Sequence, residues 1–383
     1  MKARLTYLFL VSLIGHNLHA QMGKDSLAFD GQVSLVGSYA PRNKLDLFLG
    51  GRYIPRLSYG FKLDSATTAH GIDFEASANF SGSVSSNSFE AFRFRSTISP
   101  YRLWARYTRR QFEFRIGLQK IDFGSATLLR PLQWFNEIDP RDPLQLTNGV
   151  YSALARYYFL NNANVWLWGL YGNEKTRGFD AVPTNKRIPE YGGRVQLPNE
   201  RGEIALSYHH RTTSTQQLAG IESIGRLPEN RVGLDGKWDW GIGFWFEGTY
   251  IHKAQNIGPL TNQALLNVGA DYTFGIGSGL NVVVENLVLN YSEKNLKLRT
   301  PTDITALNVS YPLGLFDNLS SVVSYNWTAG DATVFVNFQH QFPKITAYVM
   351  TFYNPENQLG IRQNELVNTF AGPGLRLMLV YNH

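Results

Sequence analysis

The sequence contains no cysteine in 383 residues. That absence excludes a disulfide framework, thiolate metal sites, cysteine catalysis and a lipid anchor on an N-terminal cysteine. Charge is also scarce, because Asp, Glu, Lys and Arg make up 17% of the chain, against roughly 25% in ordinary globular domains. The formal net charge of +6 is small for this length, which argues against a protein that binds nucleic acid.

Long apolar runs are missing after residue 20, where the longest pieces are Val165–Leu170 and Leu377–Tyr381. A membrane-spanning helix needs about 20 apolar residues, so none is expected. Pro-rich or Gly/Ser-rich linkers are missing as well, and residues 21–383 are therefore interpreted as a single domain. The remaining way to span a bilayer is a closed barrel, because every backbone polar group must find a partner within the sheet.

The first twenty residues have the three regions of a secretory signal peptide. Lys2 and Arg4 form a basic head, Leu5–Ile14 is an apolar core, and Gly15–Ala20 is a polar exit that ends in a small residue. An apolar core of this length suits export rather than a membrane span. We expect cleavage after Ala20. The alternative is an ordinary buried strand or helix at the N-terminus.

Aromatic residues and glycine are abundant, with 24 Phe, 20 Tyr, 8 Trp and 35 Gly. Tyr and Trp anchor membrane proteins at the two interfaces of the bilayer, and Gly serves tight turns. Abundant aromatic residues, abundant glycine and little charge together indicate a sheet protein that sits in a lipid belt.

Apolar and polar residues alternate with a period of two along the whole chain. In segment 111–121, the apolar residues Phe112, Phe114 and Ile116 occupy every second position, and Glu113 and Arg115 lie between them. This pattern predicts strands with one apolar and one polar face. A soluble β-sandwich also alternates. The short breaks between strands, and polar faces rich in Arg, Asn and Gln, favour a barrel with a wet lumen.

The candidate strands begin near residues 28, 45, 56, 72, 89, 101, 111, 150, 163, 191, 202, 230, 241, 263, 279, 304, 319, 332, 344 and 374. Some candidates are interpreted as halves of one long strand, for example 45 with 56 and 89 with 101. Tilted spans of about ten residues plus connections predict an antiparallel transmembrane barrel of about 16 strands, between about 14 and 18.

The last candidate strand has the pattern of a barrel's closing strand. Gly374, Leu377, Leu379 and Tyr381 follow the Gly-x-x-apolar-x-apolar order that resembles the C-terminal assembly signal of outer-membrane proteins. The chain ends in Asn-His rather than in a terminal Phe or Trp. This resemblance implies the barrel assembly machinery and outer-membrane lipid as partners.

Segment 122–149 breaks the alternation. Its prolines Pro131, Pro140 and Pro143 cannot sit in a central strand. It is too long for a hairpin turn and carries many apolar residues that need burial. A long loop inside a compact domain is usually functional, and we interpret it as a loop that folds into the barrel and narrows the lumen. The alternative is an extracellular cap packed on itself. Two other breaks, 173–189 and 212–229, are polar and are interpreted as extracellular loops.

Charged residues of this segment and of the strands before it are the candidate pore-lining set. The residues are Arg93, Arg95, Arg102, Arg106, Arg115, Arg130, Glu137, Asp139, Arg141 and Asp142. Loop carboxylates that face an arginine row on the wall would create a transverse field, which orients charged or dipolar solutes and keeps apolar ones out. The alternative is that these charges form ion pairs that hold the loop in place.

The stretch Gly117–Gly124, followed by Leu129–Trp134 and Ile138–Pro143, resembles the strand and inward loop of porin-like outer-membrane barrels. It is similar to the alginate-export-type porins of Gram-negative bacteria, in which a Gly-x-Gln strand leads into a loop with an Asp-Pro or Asn-Pro pair. The match covers residues 117–143. It implies a channel, and the substrate of that family is not transferred because the chain is shorter.

Catalytic and metal-binding motifs are not found. His209 and His210 point to opposite faces of a strand, no HExxH occurs, and Ser207 beside His209 has no mark of a nucleophile. The sequence therefore predicts a non-enzymatic porin without cofactor or metal, which passes small hydrophilic solutes, anionic ones or saccharides, across the outer membrane. The alternatives are a barrel enzyme of lipase or protease type, with His209 essential, and a plugged structural or adhesive barrel.

Overall fold

The computed structural model describes residues 25–63, 70–87, 90–294, 301–355 and 371–383. They form one antiparallel sheet of eighteen strands, which closes on itself because the first strand pairs with both the second and the last. The closed all-β barrel confirms the predicted fold class. The predicted signal peptide, residues 1–20, lies outside the described residues. Within the described part, no helix is long and apolar enough to cross a membrane.

The first nine strands are β1 (Asp25–Tyr39), β2 (Leu47–Lys62), β3 (His70–Asn87), β4 (Ala91–Arg109), β5 (Phe112–Gln119), β6 (Val150–Tyr158), β7 (Asn164–Leu170), β8 (Glu190–Asn199) and β9 (Gly202–Thr213). The remaining nine are β10 (Leu227–Asp239), β11 (Gly243–Lys253), β12 (Asn262–Phe274), β13 (Leu280–Ser292), β14 (Thr302–Pro312), β15 (Asp317–Asn326), β16 (Asp331–Gln341), β17 (Ile345–Asn354) and β18 (Gly372–Asn382).

Eighteen strands are present rather than about 16, at the upper end of the predicted range of about 14 to 18. The twenty candidate starts reduce to eighteen when the two suggested pairs are merged, since starts 45 and 56 correspond to β2, which begins at Leu47, and starts 89 and 101 correspond to β4, which begins at Ala91. The estimate was low because it allowed too much chain for connections. Turns such as Arg110–Gln111 take only two residues, so more of the chain is in strands.

Alternation along each strand sets an outward and an inward face. On β9, Leu206 and Tyr208 point outward and are 55% and 41% exposed, whereas Ser207 and His209 between them are buried inside the barrel. The outward face is apolar, as in a wall that contacts lipid, and the inward face carries the polar side chains. The period of two in the sequence therefore matches the alternation of outward and inward side chains along the strands.

A β-bulge in β4 changes which residues face inward. Ser77 pairs with Arg102 and Ala78 pairs with Pro100, so Tyr101 is the extra residue. Without it, the odd-numbered Arg93 and the even-numbered Arg102 would face opposite sides of the wall, since a one-residue shift reverses every later side chain. The bulge places all the predicted strand arginines on the inward face.

Connections at the two ends of the barrel differ in length. At the end near His383, which exchanges backbone hydrogen bonds with Gly31, the described turns are short. At the opposite end, long connections span residues 120–149, 171–189 and 214–226. We name these the turn end and the loop end. The predicted break 212–229 is too wide, because Thr212 and Thr213 belong to β9 and residues 227–229 belong to β10.

Candidate functional site: the lumen and its constriction loop

Residues 120–149 connect β5 to β6 and lie inside the barrel. We name this segment the constriction loop, and its narrowing of the passage for solutes stays a prediction. Only Thr127, Gln145 and Asn148 of this segment are exposed. The alternative interpretation, an extracellular cap packed on itself, does not fit this burial, because the loop contacts the inner face of the wall on several sides. Loops rarely bury so much backbone, and the wall must therefore supply partners for its peptide groups.

Apolar contacts attach the first part of the loop to two stretches of wall. Phe123, Trp134 and Phe135 pack against inward side chains of β6 and β7, including Leu154 and Trp168. Further along, Leu128 and Leu129 pack on inward residues of β12 to β14. Because β6 and β12 are far apart around the barrel, the loop crosses the lumen between them.

A buried carboxylate holds the loop at the far side of the lumen. Glu285 on β13 accepts hydrogen bonds from the backbone N–H groups of residues 127–129 at 2.7, 3.1 and 2.6 Å. Its oxygens also accept from Trp245 Nε1 at 3.0 Å and from Asn267 Nδ2 at 3.1 Å. Hydrogen bonds to an ionised acceptor are stronger than neutral ones, so this one side chain fixes a whole turn of the loop.

Glu247 on β11 is the second anchor. It accepts from the backbone N–H groups of Ala126 at 2.7 Å and Leu132 at 3.1 Å. Gly124 makes the approach possible, because it has φ +105° and a Cβ there would lie 2.2 Å from Glu247 Oε1. Two glutamates together therefore bind the loop through peptide groups rather than through ion pairs.

The return part of the loop is attached on the other side of the barrel. Arg102 on β4 donates to the backbone oxygen of Thr147 at 3.0 Å and to its hydroxyl at 2.9 Å. Arg141 donates to Asn354 Oδ1 on β17 at 3.0 Å. Arg102 is buried, and its contacts give it a structural role in positioning the loop.

The connection 171–189 enters the loop end of the barrel and is held by a buried charge cluster. Asp180 accepts from Arg211 on β9 at 2.8 Å and also binds Arg231 on β10. Both arginines bind Glu229, whose other oxygen lies 3.2 Å from Lys253. All five side chains are 1–2% exposed. The predicted polar extracellular loop 173–189 is thus largely packed against the barrel interior.

The predicted loop charges have partners close by. Arg130 pairs with Asp122 at 2.7 Å. Arg141 pairs with Asp139 at 3.1 Å. Burial alone would raise the pKa of Asp122, but Arg130 and its other partners hold that pKa below its usual range.

Glu137 and Asp142 are the loop carboxylates with a raised pKa. Asp142 accepts from the backbone N–H of Leu144 at 3.0 Å, and burial raises its pKa. Burial next to Asp180 raises the pKa of Glu137 to about 7. Glu137 therefore changes charge close to neutral pH at the contact between the constriction loop and connection 171–189.

Arg106 and Arg115 of the arginine row pair with carboxylates of the wall itself. Arg106 binds Asp73 at 2.9 Å, and Arg115 binds Glu113 at 3.2 Å. Arg156 adds a further guanidinium 3.8 Å from Glu113. These two arginines thus contact wall carboxylates, and a transverse field between loop carboxylates and the row as a whole stays a prediction. The physical reason for these contacts is proximity, because Asp73 faces Arg106 across two paired strands and Glu113 lies two residues from Arg115 on the same face of β5.

Arg93 and Arg95 lie farther toward the loop end. Both are on the inward parity of β4, opposite Ser85 and Ser83 of β3, and both are exposed. They are therefore separated from the Arg106 and Arg115 part of the row, and the structure does not bring all the predicted residues to one constriction.

Basic side chains outnumber acidic ones on the inward faces of β1 to β6. The arginines are Arg52, Arg56, Arg93, Arg95, Arg102, Arg106, Arg115 and Arg156, and the carboxylates are Asp30, Asp73, Glu75 and Glu113. We name the inward faces of β2 to β5 the open wall, because most of their side chains remain partly exposed. The inward faces of β8 to β13 are named the sealed wall, because most of theirs are buried.

Sequence reasoning missed the residues that hold the loop, namely Glu247, Glu285 and the cluster around Asp180. A signal was present for Glu285, which is a lone acid in the apolar strand sequence of 280–289 and lies on its inward parity. An acid there needs buried donors. The donors come from a loop more than a hundred residues away, which a period of two cannot reveal.

The side chains considered for catalysis are engaged in other contacts. His209 accepts from Trp168 through Nδ1 at 3.1 Å and contacts Glu190 through Nε2 at 3.1 Å. The Ser207 hydroxyl accepts from Arg194 at 3.0 Å. This arrangement differs from the nucleophile and base pair of a hydrolase. In the described ranges, no group of three or more His, Cys, Asp or Glu side chains is placed to hold a metal ion.

Comparisons with solved structures relate the barrel to outer-membrane proteins. OccAB1 of Acinetobacter baumannii matches with TM-score 0.53 and 9% identity, over 94% of this chain and 96% of that one. OccK5 (OpdH) of Pseudomonas aeruginosa matches with TM-score 0.53 and 11% identity, over 94% and 98%. OmpT, an outer membrane protein of Vibrio cholerae, matches with TM-score 0.50 and 9% identity, over 94% and 98%.

No protein-family model and no curated protein matches the sequence. The alginate-export-type part of the resemblance thus has no support from a family match, whereas the coarser likeness to outer-membrane porin barrels holds at the level of the fold. Sequence identities of 9–11% support a shared fold and no more specific relationship.

Proposed function

We propose that this chain is an outer-membrane porin through which small hydrophilic solutes diffuse passively. The solutes pass along the open wall, beside the constriction loop. The fold shared with outer-membrane barrels and the exposed apolar outer face support this location. Outer-membrane lipid is the partner of that face, and the barrel assembly machinery recognises β18.

The observation that carries the proposal is the contrast within the lumen. Arg106 and Asp73 face inward and keep 33% and 39% of their side chains exposed. Glu247 and Glu285 also face inward and are fully buried by the loop. A loop that sealed the whole lumen would bury both sides, so the water-accessible side is the route for solutes.

Excess arginine on this route favours anions. Apart from the buried Arg102, the open wall and the adjoining strands carry seven arginines against four carboxylates, and water-exposed guanidinium groups attract anionic solutes and repel cations. The porin is therefore proposed to prefer small anions, including anionic saccharides.

The test is the single-channel conductance and reversal potential of the refolded chain, residues 21–383, in a planar bilayer with asymmetric salt. We expect discrete conductance steps and a reversal potential whose sign indicates that anions pass more readily than cations. Arg106→Gln/Arg115→Gln should move the reversal potential toward zero. Arg187→Gln/Arg201→Gln removes the same charge from exposed positions in two connections rather than from the inward face of the wall and serves as the matched control.

Two outcomes would contradict the proposal. A silent bilayer from a correctly folded barrel would favour the plugged barrel. Hydrolysis of lipid or peptide that disappears in His209→Ala would favour the enzyme. A cation-side reversal potential would retain the porin and reject the anion preference.

A further inference from the structure

Three guanidinium groups on the inward faces of β4, β5 and β6 converge on one carboxylate. Glu113 on β5 lies 3.2 Å from Arg115 Nη2. Its oxygens also lie 3.8 Å from Arg106 Nη1 and 3.8 Å from Arg156 Nη1. Within the described residues, the Nε–H groups of Arg115 and Arg156 are buried and have no acceptor. The three arginines, here named the three-arginine site, therefore offer more N–H donors than Glu113 accepts.

The strand register brings these positive charges together. Arg106 and Arg115 are directly opposite each other in the ladder of β4 and β5. Glu113 is opposite Arg156 in the ladder of β5 and β6. Like charges placed opposite each other destabilise a strand pair. An anion beside them offsets that cost, and Glu113 is the anion that the wall itself supplies.

Stacking on indole rings holds two of the guanidinium groups independently of Glu113. The Arg115 guanidinium lies over the Trp104 ring, 4.7 Å from its centre. The Arg156 guanidinium lies over the Trp166 ring, 3.8 Å from its centre. An indole face attracts a guanidinium group and fixes its plane. The three-arginine site is therefore expected to keep its arrangement when the carboxylate moves away or is removed.

The charges of the three-arginine site do not balance. Asp73 binds Arg106 at 2.9 Å, and Glu113 is the second carboxylate. Glu75 lies on the same inward face of β3, but in the part of the chain that the structure describes it forms no ion pair with these arginines. One positive charge is left over at the site. Removal of Glu113 raises this surplus to two, which equals the charge of a doubly charged oxyanion.

Solutes can reach the three-arginine site. The ion pairs that hold connection 171–189 are sealed from water, as at Glu229 beside Arg211. Glu113 and its three arginines instead remain partly exposed toward the lumen. An anion on the proposed route therefore meets guanidinium groups that a carboxylate of the wall already occupies.

Building on the proposed passage of anions, we propose that Glu113 determines how tightly the channel binds its solutes. Its carboxylate occupies the three-arginine site, and a solute oxyanion binds there only by displacing it. This competition keeps the binding of the solute weak, and weak binding lets a solute leave the site toward the other end of the barrel. The favoured solute class is small oxyanions, because their oxygens replace those of Glu113 on the same N–H donors.

The test measures sulfate binding to the folded chain in detergent micelles by isothermal titration calorimetry, at constant ionic strength. Sulfate is the probe because it keeps two negative charges at neutral pH. Glu113→Gln should bind sulfate at least about tenfold more tightly than the unchanged chain, because the competing charge is gone. Asp30→Asn is the matched control, since Asp30 binds the single guanidinium of Arg56 at 2.7 Å. It should change the sulfate affinity less than about threefold.

Two further variants separate this role from a purely structural one. Glu113→Gln/Arg156→Gln should lose most of the gained affinity, which a general loosening of the barrel would not predict. Glu113→Asp keeps the charge but withdraws it by one methylene group, and its sulfate affinity should lie between those of the unchanged chain and Glu113→Gln. It replaces Glu113→Gln if that variant does not fold, and an affinity equal to that of the unchanged chain would then overturn the proposal.

The proposal would also be overturned by equal sulfate affinities of Glu113→Gln and Asp30→Asn, or by a gain that survives the loss of Arg156. In bilayer recordings, sulfate should block the chloride current of Glu113→Gln at concentrations that leave the unchanged chain conducting. A silent bilayer together with the calorimetric gain would reject the passage and retain the three-arginine site. Normal conductance without the gain would reject the role of Glu113 and retain the porin.

Discussion

Arg106 on the open wall and Arg231 on the sealed wall both face into the barrel and both bind carboxylates. Arg106 keeps 33% of its side chain exposed, whereas Arg231 keeps 2%. The same pairing chemistry therefore serves two purposes. Exposed pairs contribute little to stability and leave charge available to solutes. Buried pairs are costly to form and costly to break, and they hold the loops in the lumen.

The comparison also separates two ways of holding a loop. Connection 171–189 is bound by ion pairs around Asp180, while the constriction loop is bound by peptide N–H groups on Glu247 and Glu285. A carboxylate that accepts several N–H groups needs no cation beside it. The sealed wall can thus position the constriction loop without adding positive charge to it.

The largest effect is expected when the main anchor is removed. Glu285→Ala leaves the N–H groups of residues 127–129 and of Trp245 without their acceptor. Each buried unsatisfied group costs about 1–3 kcal/mol, so the free energy of unfolding should fall by about 4 kcal/mol. The loop should also move, giving larger and noisier conductance. Urea unfolding and single-channel recording measure the two effects.

Glu203→Ala is the control for this anchor, because Glu203 also faces inward but lies near the turn end and binds Gln196. It should change conductance little. Unchanged conductance and stability in Glu285→Ala would mean that the loop is held elsewhere, and the sealed wall would lose its assigned role.

The second prediction compares the two walls directly. Arg231→Gln removes a guanidinium that binds both Glu229 and Asp180 in a buried site. Its cost should be about 3–5 kcal/mol in the free energy of unfolding. Arg106→Gln removes an exposed partner of Asp73 and should cost about 0–1 kcal/mol while shifting the reversal potential. Equal costs for the two variants would contradict the division into an open and a sealed wall.

Much of the fold can be predicted from the sequence, because a wall with an apolar outward face and a polar inward face forces a period of two. The candidate starts and the merged pairs account for all eighteen strands. The constriction loop is also visible, since Pro131, Pro140 and Pro143 cannot continue a strand and the apolar residues around them need burial.

The site is less predictable, because its contacts join distant parts of the chain. The bulge at Tyr101 determines which β4 arginines face inward, and no local sequence pattern predicts that bulge. The partner of Arg106 comes from the adjacent strand, which depends on register, and the partner of Arg115 comes from its own strand rather than from the loop. Glu285 meets residues 127–129 only once the barrel has closed.

A smaller effect is expected at the point of closest approach between the loop and the sealed wall. Gly124→Ala places a Cβ 2.2 Å from Glu247 Oε1 at φ +105°. Gly172→Ala has a similar backbone penalty at φ +82° but open space around the new methyl group. Both variants should lose about 1–2 kcal/mol from backbone strain. Only Gly124→Ala should also alter conductance, because only it displaces the loop. Identical behaviour of the two variants in recordings and urea unfolding would argue against the close contact.

The smallest effect is a pH dependence at the contact between the two inserted connections. The pKa of Glu137 is raised to about 7 by burial and by Asp180, from its usual range near 4.5. The folded state therefore binds this proton more tightly than the unfolded state, and the stability it provides at low pH is lost as pH rises from about 4.5 to about 7. Amide exchange in residues 177–182, corrected for the intrinsic rate, should accelerate on the order of tenfold between about pH 5 and pH 8. Glu137→Gln stays neutral and should keep the low-pH protection throughout. If amide exchange in Glu137→Gln accelerated equally with pH, the acceleration would have to come from the titration of another group. The charge of Glu137 would then have no effect on how the loop is held at the sealed wall.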